Sequence, residues 1–437
     1  LLRKIAVILT IMILICSIAV PAPAAQPAAQ LPAQPAAEPV TTAVAALVMD
    51  AENGQVLYSK EADQKMYPAS TTKIMTALVA LENSSLDEMV AVSPTAAAVD
   101  GSRVGLQPGE KLPMEDLLYM LMLTSANDSA EAIAEHISGS AQQFAQLMNR
   151  RAAEIGARNT HFTNPHGLQD PAHYTTARDL ALIGREAMKN ATFRRIVGTV
   201  NIKLDRKKYM SPALLQSVAQ LEQIHGPLQQ DFYTHNKLLT GGYYGYQGAI
   251  GIKTGYTVDA GQCIVAMARR NGREMIAVVL NSQGAALWSD AAALLDYGFQ
   301  GFSPAEVIAP RQMITDVPVK DGAAKAVLET NDYFYYDFPA GATPAVSRRV
   351  ELDKNIKAPL EAGKQLGELV LEVQGREVGR VPLVTVNAVS RSVTTYLWLR
   401  VAGGAVVALL LLWWLCAARR RQRRSGRAKD KRGYYLK

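Results

Sequence analysis

The chain of 437 residues is longer than one compact domain needs, and its 49% hydrophobic and 19% charged residues describe a globular protein with more than one folded unit. The formal charge of +7 would suit a nucleic-acid partner, but ten Lys or Arg against Asp430 fall in residues 419–437, and Arg3 and Lys4 lie at the start. The rest is therefore net −4, which excludes a broad cationic face for phosphates and with it a nucleic-acid partner.

In chain order, Arg3 and Lys4, an uncharged apolar run over 5–20 and then Ala22-Pro23-Ala24 predict a secretory signal over 1–25, cut near Ala24 or Ala25. The Pro, Ala and Gln repeats that follow predict a flexible linker over 26–42. Residues 45–49 and 55–58 read as strands around the turn Asp50-Ala51-Glu52-Asn53-Gly54. Helical periodicity then dominates from Ser70 to about Ile137, over 141–155 and over 176–197. Apolar runs at 261–269 and 273–281, joined by Asn271-Gly272, predict a hairpin, and a last helix covers 285–297. Strands at both sequence ends with helices between them predict an α+β domain over 43–303, its sheet built from distant segments and covered by a helical subdomain.

After Pro304 the character becomes β, with short strands at 326–329 and 349–352 and a hairpin of 366–373 and 376–384 around Gln374-Gly375. Residues 304–390 read as a small all-β spacer without a catalytic cluster. Residues 396–418 form an apolar stretch that can just span a bilayer, with Trp398, Trp413 and Trp414 suited to its interfaces. The basic tail 419–437 then belongs on the cytoplasmic side and the body on the other. Of the three cysteines, only Cys263 lies outside the two apolar terminal segments, so no internal disulfide is available and Cys263 reads as a small buried hydrophobe.

Three short motifs carry chemistry, and the first two occur once each. Ser70-Thr71-Thr72-Lys73 opens a helical run, and a spacing of three puts the amine on the hydroxyl's face, where a neutral lysine can take the serine proton. Ser125-Ala126-Asn127 sits between two helical runs, where Ser125 can relay a proton and the Asn127 amide can hold a substrate carbonyl. Lys253-Thr254-Gly255, before Tyr256, suits a strand edge. There Lys253 disfavours protonation of Lys73, Lys253 with Thr254 can hold a terminal carboxylate, Gly255 permits close approach, and the N–H groups of Ser70 and Tyr256 can form an oxyanion hole. The structural alternatives are a helix cap at Ser125 and a solvated strand end at Lys253.

In this order the three motifs resemble those of penicillin-recognising serine enzymes. Tyr67-Pro68-Ala69-Ser70, residues 161–168, Asn236-Lys237-Leu238-Leu239 and residues 257–261 are similar to the low-molecular-mass D-Ala-D-Ala carboxypeptidases, over about residues 43–390. The resemblance implies a β-lactamase/penicillin-binding-like fold followed by the small β domain. It implies a serine carboxypeptidase that removes terminal D-Ala from peptidoglycan stem peptides through an acyl-enzyme, is trapped by β-lactams, and needs neither metal nor cofactor. It also makes residues 164–168 a structural loop near the cleft. A spanning anchor in place of the amphipathic helix of many relatives is a departure. A β-lactamase and a wall-binding scaffold without turnover are the rivals. For a lactamase the one tempting water-activating carboxylate is Glu186, inside a helical stretch. His161, His166 and His173 lack the spacing of a helical zinc motif, and for His235, next to Asn236, a place facing the substrate is the lesser of two readings.

Overall fold

The structure, a computed structural model, describes residues 37–342 and 345–430. The signal segment expected over 1–25, most of the expected linker and residues 431–437 of the tail lie outside these residues.

β1 (Ala45–Asp50) and β2 (Val56–Lys60) are antiparallel. The Asp50 carboxylate accepts from the backbone N–H groups of Glu52 and Asn53 in their turn, and Gly54 takes φ +79°. One 3-10 turn, Ala69–Thr72, leads into α1 (Lys73–Asn83), whose residues from Lys73 to Ala80 are all buried, making it the central helix. The helix expected to continue toward Ile137 is interrupted. Asn83-Ser84-Ser85 ends it, β3 (Met89–Ala91) leads to α2 (Pro94–Ala98), and a loop whose Gly101, Gly105 and Gly109 all have positive φ returns to β4 (Lys111–Pro113), the partner of β3. Helices resume as α3 (Met114–Leu123), α4 (Asn127–Ser138) and α5 (Ala141–Ile155), the last capped by the Ser140 hydroxyl and closed by left-handed Gly156. The stretch 176–197 divides at Asn190, which caps its second half, into α6 (Ala177–Ala187) and α7 (Ala191–Val197).

β5 (Asn201–Lys203), α8 (Pro212–His225) and β6 (Asp231–Tyr233) form an excursion that the sequence reading did not assign. Val218 is the one buried residue of α8, so the helix carries no clear apolar stripe. Then come β7 (Ala249–Thr257), β8 (Gly261–Arg270) and β9 (Arg273–Ser282). The last two turn on Asn271 and Gly272, both at positive φ as an Asn-Gly hairpin requires. α9 (Ala286–Gly301) follows.

The main sheet runs β2-β1-β9-β8-β7, so β1 pairs with a strand more than two hundred residues away. Its faces are buried by different helices: α6 and α7 pack Leu180, Ile183 and Ile196 on one side, with α1 behind them, and α9 packs Leu287, Leu294 and Leu295 on Ala46, Val48 and Val279 on the other. β7 is an edge strand that lies against the 3-10 turn at Ser70. Cys263 on β8 is buried, as expected.

The C-terminal unit contains β10 (Phe302–Ile308), β11 (Met313–Val317), β12 (Ala326–Thr330), β13 (Phe334–Pro339), β14 (Val346–Leu352), β15 (Gln365–Val373) and β16 (Arg376–Thr385). β10 pairs with β13, and a five-stranded sheet in the order β11-β12-β16-β15-β14 encloses a separate core of Leu328, Leu369, Leu371 and Leu383. It meets the catalytic unit through charge. Buried Asp337 on β13 accepts from Arg273 at 2.6 Å and from Asn53 at 3.1 Å, and its own N–H donates to the Gln55 side chain. The pair Asp50 and Asp337 share Arg273, and burial together with Asp337 raises the Asp50 pKa to about 6.

α10 (Val393–Asp430) contains the stretch Tyr396–Arg421, whose most apolar window of 18 residues has a mean hydropathy of 2.2. At 1.5 Å per residue it is about 39 Å long, enough to cross a hydrocarbon core of about 30 Å.

Candidate active site

All eight residues singled out from the three motifs converge between the 3-10 turn before α1, the α3–α4 corner and edge strand β7. Ser70, Ser125, Thr254, Gly255 and Tyr256 line one cleft of about 250 Å³. Lys73, Asn127 and Lys253 lie behind its floor, all buried.

Lys73 holds the centre. Its Nζ is 2.7 Å from Asn127 Oδ1, 2.7 Å from the His166 carbonyl oxygen and 3.0 Å from Ser70 Oγ. Desolvation, then the Lys253 charge, push its pKa well below the usual lysine range, against a smaller opposing effect of Asp128. A neutral amine has two hydrogens and one lone pair. The Asn127 oxygen and the His166 carbonyl can only accept, so they take the two hydrogens and leave the lone pair for the Ser70 hydroxyl. The Asn127 amide orientation is fixed at its other end, where Nδ2 donates to the Asp100 carbonyl at 2.6 Å.

Ser125 has φ +63° and a buried Oγ without a partner among the described residues. A buried hydroxyl left unsatisfied in a strained backbone marks a group held for a ligand. Lys253 is 1% exposed, donates to the Thr254 carbonyl at 2.8 Å, and has its pKa lowered to about 7 by burial. It therefore acts on the cleft from beneath, while Thr254 faces it. At Gly255 a Cβ would sit 2.9 Å from the Ser70 nitrogen, so only glycine lets β7 approach the Ser70 turn this closely.

The supporting shell was largely missed by sequence reasoning. The loop at 164–168 is folded around Asn164, whose Oδ1 accepts from the Gly167 N–H at 2.7 Å and whose Nδ2 donates to the Leu168 carbonyl at 3.0 Å. It aims the His166 carbonyl at Lys73. Gly167 has φ +87°, and a Cβ there would lie 1.9 Å from the Ala69 carbonyl oxygen, so the loop is keyed onto the turn that carries Ser70. His173 accepts from the Thr163 N–H on Nδ1, which leaves Nε2–H for Thr72 Oγ1 at 2.8 Å, and burial holds its pKa near 4. His166 is likewise held neutral by burial and the Lys73 charge, with a pKa of about 3. Neither imidazole reaches Ser70 as a base.

Ser102 lines the cleft from the loop after α2, and its carbonyl accepts from the Asn127 N–H at 2.7 Å. Two buried charges pin that loop. Asp128 accepts from the N–H groups of Val104 and Leu106, and Arg206 donates to the Val104 and Gly105 carbonyls while pairing Glu110 at 2.8 Å with both side chains wholly buried. His235 lines the cleft, and desolvation with the Lys253 charge lowers its pKa. Glu186 is turned away, engaged by Arg151 and Lys189 at 2.7 Å each.

A hydroxyl against an amine lone pair, a second hydroxyl without a partner and an edge strand with unpaired backbone form a site built for acyl transfer to serine. Comparison with known proteins agrees. Residues 32–284 match the family model for D-alanyl-D-alanine carboxypeptidases of peptidase family S11, and residues 302–391 match the penicillin-binding protein 5 C-terminal domain. D-alanyl-D-alanine carboxypeptidase DacF of Bacillus subtilis is 30% identical over 349 residues, 78% of this chain and 84% of that protein. The D-alanyl-D-alanine carboxypeptidase of Streptomyces sp. K15 is 36% identical over 59% of this chain and 87% of its own length. The crystal structure of penicillin-binding protein 5 from Haemophilus influenzae superposes with a TM-score of 0.67 at 28% identity, covering 82% of this chain and all of that one. The chain belongs to the serine-type D-alanyl-D-alanine carboxypeptidase family, with the penicillin-binding protein 5 type of C-terminal domain.

Proposed function

We propose that this chain removes the terminal D-Ala from peptidoglycan stem peptides ending in D-Ala-D-Ala, with Ser70 as nucleophile and Lys73 as its base. The observation that carries this reading is the Lys73 amine, whose two hydrogens have fixed acceptors and whose lone pair is left for Ser70 Oγ at 3.0 Å. Ser70 Oγ bonds to the carbonyl carbon of the scissile peptide as its proton passes to Lys73. The oxyanion forms against the N–H groups of Ser70 and Tyr256. The proton then travels through the Ser125 hydroxyl to the departing amine, the C–N bond breaks, and water later hydrolyses the ester. The second Nδ2 hydrogen of Asn127 is free to hold the acyl donor's carbonyl. Thr254 and Gly255 receive the C-terminal end of the peptide, with Lys253 adding charge from below.

A β-lactam acylates the same serine, but its leaving amine stays tethered to the acyl group and keeps the second step slow. The detergent-solubilised full chain should release D-Ala over many turnovers from an acetylated tripeptide ending in D-Ala-D-Ala, while a penicilloyl ester persists for minutes. Fast multiple turnover of penicillin without D-Ala release would favour a β-lactamase instead.

The chain layout we propose is a signal at 1–25, a linker at 26–42, a catalytic domain at 43–303, a β spacer at 304–390, a membrane span at 396–418 and a cytoplasmic tail at 419–437. The catalytic domain then faces outward. Protease added to intact cells should remove the penicillin-binding domain and spare a tag placed after Lys437; loss of the tag with survival of the domain would reverse the topology.

A further inference from the structure

The excursion from β5 to β6 belongs to none of the three motifs, yet it brings two residues to the site. His235, just past the end of β6, lines the cleft, and Arg206, in a 3-10 turn after β5, lies wholly buried against the loop that carries Ser102. Burying a guanidinium is unfavourable unless its charge and all five of its N–H groups find partners. Here they do. Nε and Nη2 donate to the two Glu110 carboxylate oxygens at 2.9 and 2.8 Å, Nη1 donates to the Val104 carbonyl at 2.9 Å and the Gln229 carbonyl at 3.4 Å, and the second Nη2 hydrogen goes to the Gly105 carbonyl at 3.0 Å.

The pair grips the loop from both partners. Arg206 holds the carbonyls of Val104 and Gly105, and the Glu110 carboxylate accepts from the Gln107 N–H at 2.9 Å. The same loop reaches the base. Its Asp100 and Ser102 carbonyls accept from Nδ2 and the backbone N–H of Asn127 at 2.6 and 2.7 Å, and Asn127 Oδ1 takes one hydrogen of the Lys73 amine at 2.7 Å. Between those two carbonyls Gly101 comes so close that a Cβ would sit 2.6 Å from Asn127 Nδ2. A shift of the loop therefore turns the Asn127 amide, and with it the direction of the Lys73 lone pair.

We propose that Arg206, paired with Glu110, is a positioning residue for acyl transfer, holding the Ser102 loop where Asn127 aligns the Lys73 amine on Ser70. This rests on the reading of Ser70 as nucleophile and Lys73 as base. The excursion is then the bracket that supports the cleft from behind, and its arginine acts on the rate without touching substrate.

The test is the rate of acylation of the detergent-solubilised full chain by a fluorescent penicillin, followed against pH beside thermal melting. Arg206→Met combined with Glu110→Leu removes both charges, so neither is left buried alone. It should slow acylation by at least about tenfold, as misplacement of a reacting group does. Its rate should also rise at higher pH than that of the wild type, because water admitted by a loosened loop weakens the desolvation that lowers the Lys73 pKa, while Lys253 and Asp128, the charged groups facing that amine, are unchanged. Arg206→Lys, whose three donors cannot serve Glu110 and the loop carbonyls together, should move both readouts the same way by less, and decides the matter if the double variant does not fold. As a control, Arg194→Met with Glu274→Leu removes a bidentate pair outside the site and should lower the melting temperature with the rate and pH profile unchanged. Wild-type rate and pH profile in the folded Arg206 variants, or an equal loss of rate in the control, overturns this proposal and leaves the reading of Ser70 and Lys73 standing. Absence of wild-type acylation defeats that reading, and this one with it.

Discussion

Lys73→Arg should slow acylation by penicillin or peptide by about a thousandfold, the scale of general-base catalysis. Arginine keeps the charge but cannot give up its proton near neutrality, so it has no lone pair for the Ser70 hydroxyl. The pH dependence of the wild type should agree. Burial and the Lys253 charge lower the Lys73 pKa, so the neutral base is present above that depressed value and is lost as pH falls through it. Acylation should therefore rise with pH across the Lys73 titration, well below the usual lysine range, and the arginine variant should lack that rise. Stopped-flow acylation against pH, with thermal melting to show that the variant is folded, measures both. Near-normal acylation by Lys73→Arg would mean that charge at this position, not proton acceptance, is what the reaction requires.

The motif residues were legible because each motif is local: a serine and a lysine one helical turn apart, a corner between two helices, a glycine on a strand. The sheet was legible for the same reason, since two short runs around the turn Asp50-Ala51-Glu52-Asn53-Gly54 marked β1 and β2, and Asn271-Gly272 marked the hairpin of β8 and β9. What stayed hidden is how the motifs are held. The His166 carbonyl meets Lys73 across 93 positions of sequence, and the pair Arg206 and Glu110 closes across 96. No periodicity encodes such contacts, and a backbone carbonyl leaves no trace in residue type. A partial signal existed at Gly167, because a glycine after Asn-Pro-His announces a positive φ, but not that Ala69 packs against it. The reading of 70–137 as mainly helical failed where glycines at 101, 105 and 109 bend the loop that presents Ser102. Nor does residue type announce that the Asn127 side-chain oxygen accepts from the Lys73 amine while its amide nitrogen is anchored on the Asp100 carbonyl.

Ser70→Ala should remove all D-Ala release and all covalent penicillin binding, the largest effect expected of any single substitution. Ser102, Ser125 and Thr254 also bring hydroxyls to the cleft, but among the described residues the hydrogen bonds of the Lys73 amine run to Ser70, Asn127 and His166. Only Ser70 is both beside the base and at the 3-10 turn where β7 closes over the oxyanion position. The direct measurement is peptide mass spectrometry on the full chain after reaction with a penicillin. The account predicts one penicilloyl adduct per chain, carried by the peptide that contains Ser70 and absent from Ser70→Ala. A stoichiometric adduct on Ser125, or on any other serine of the Ser70→Ala variant, would contradict it.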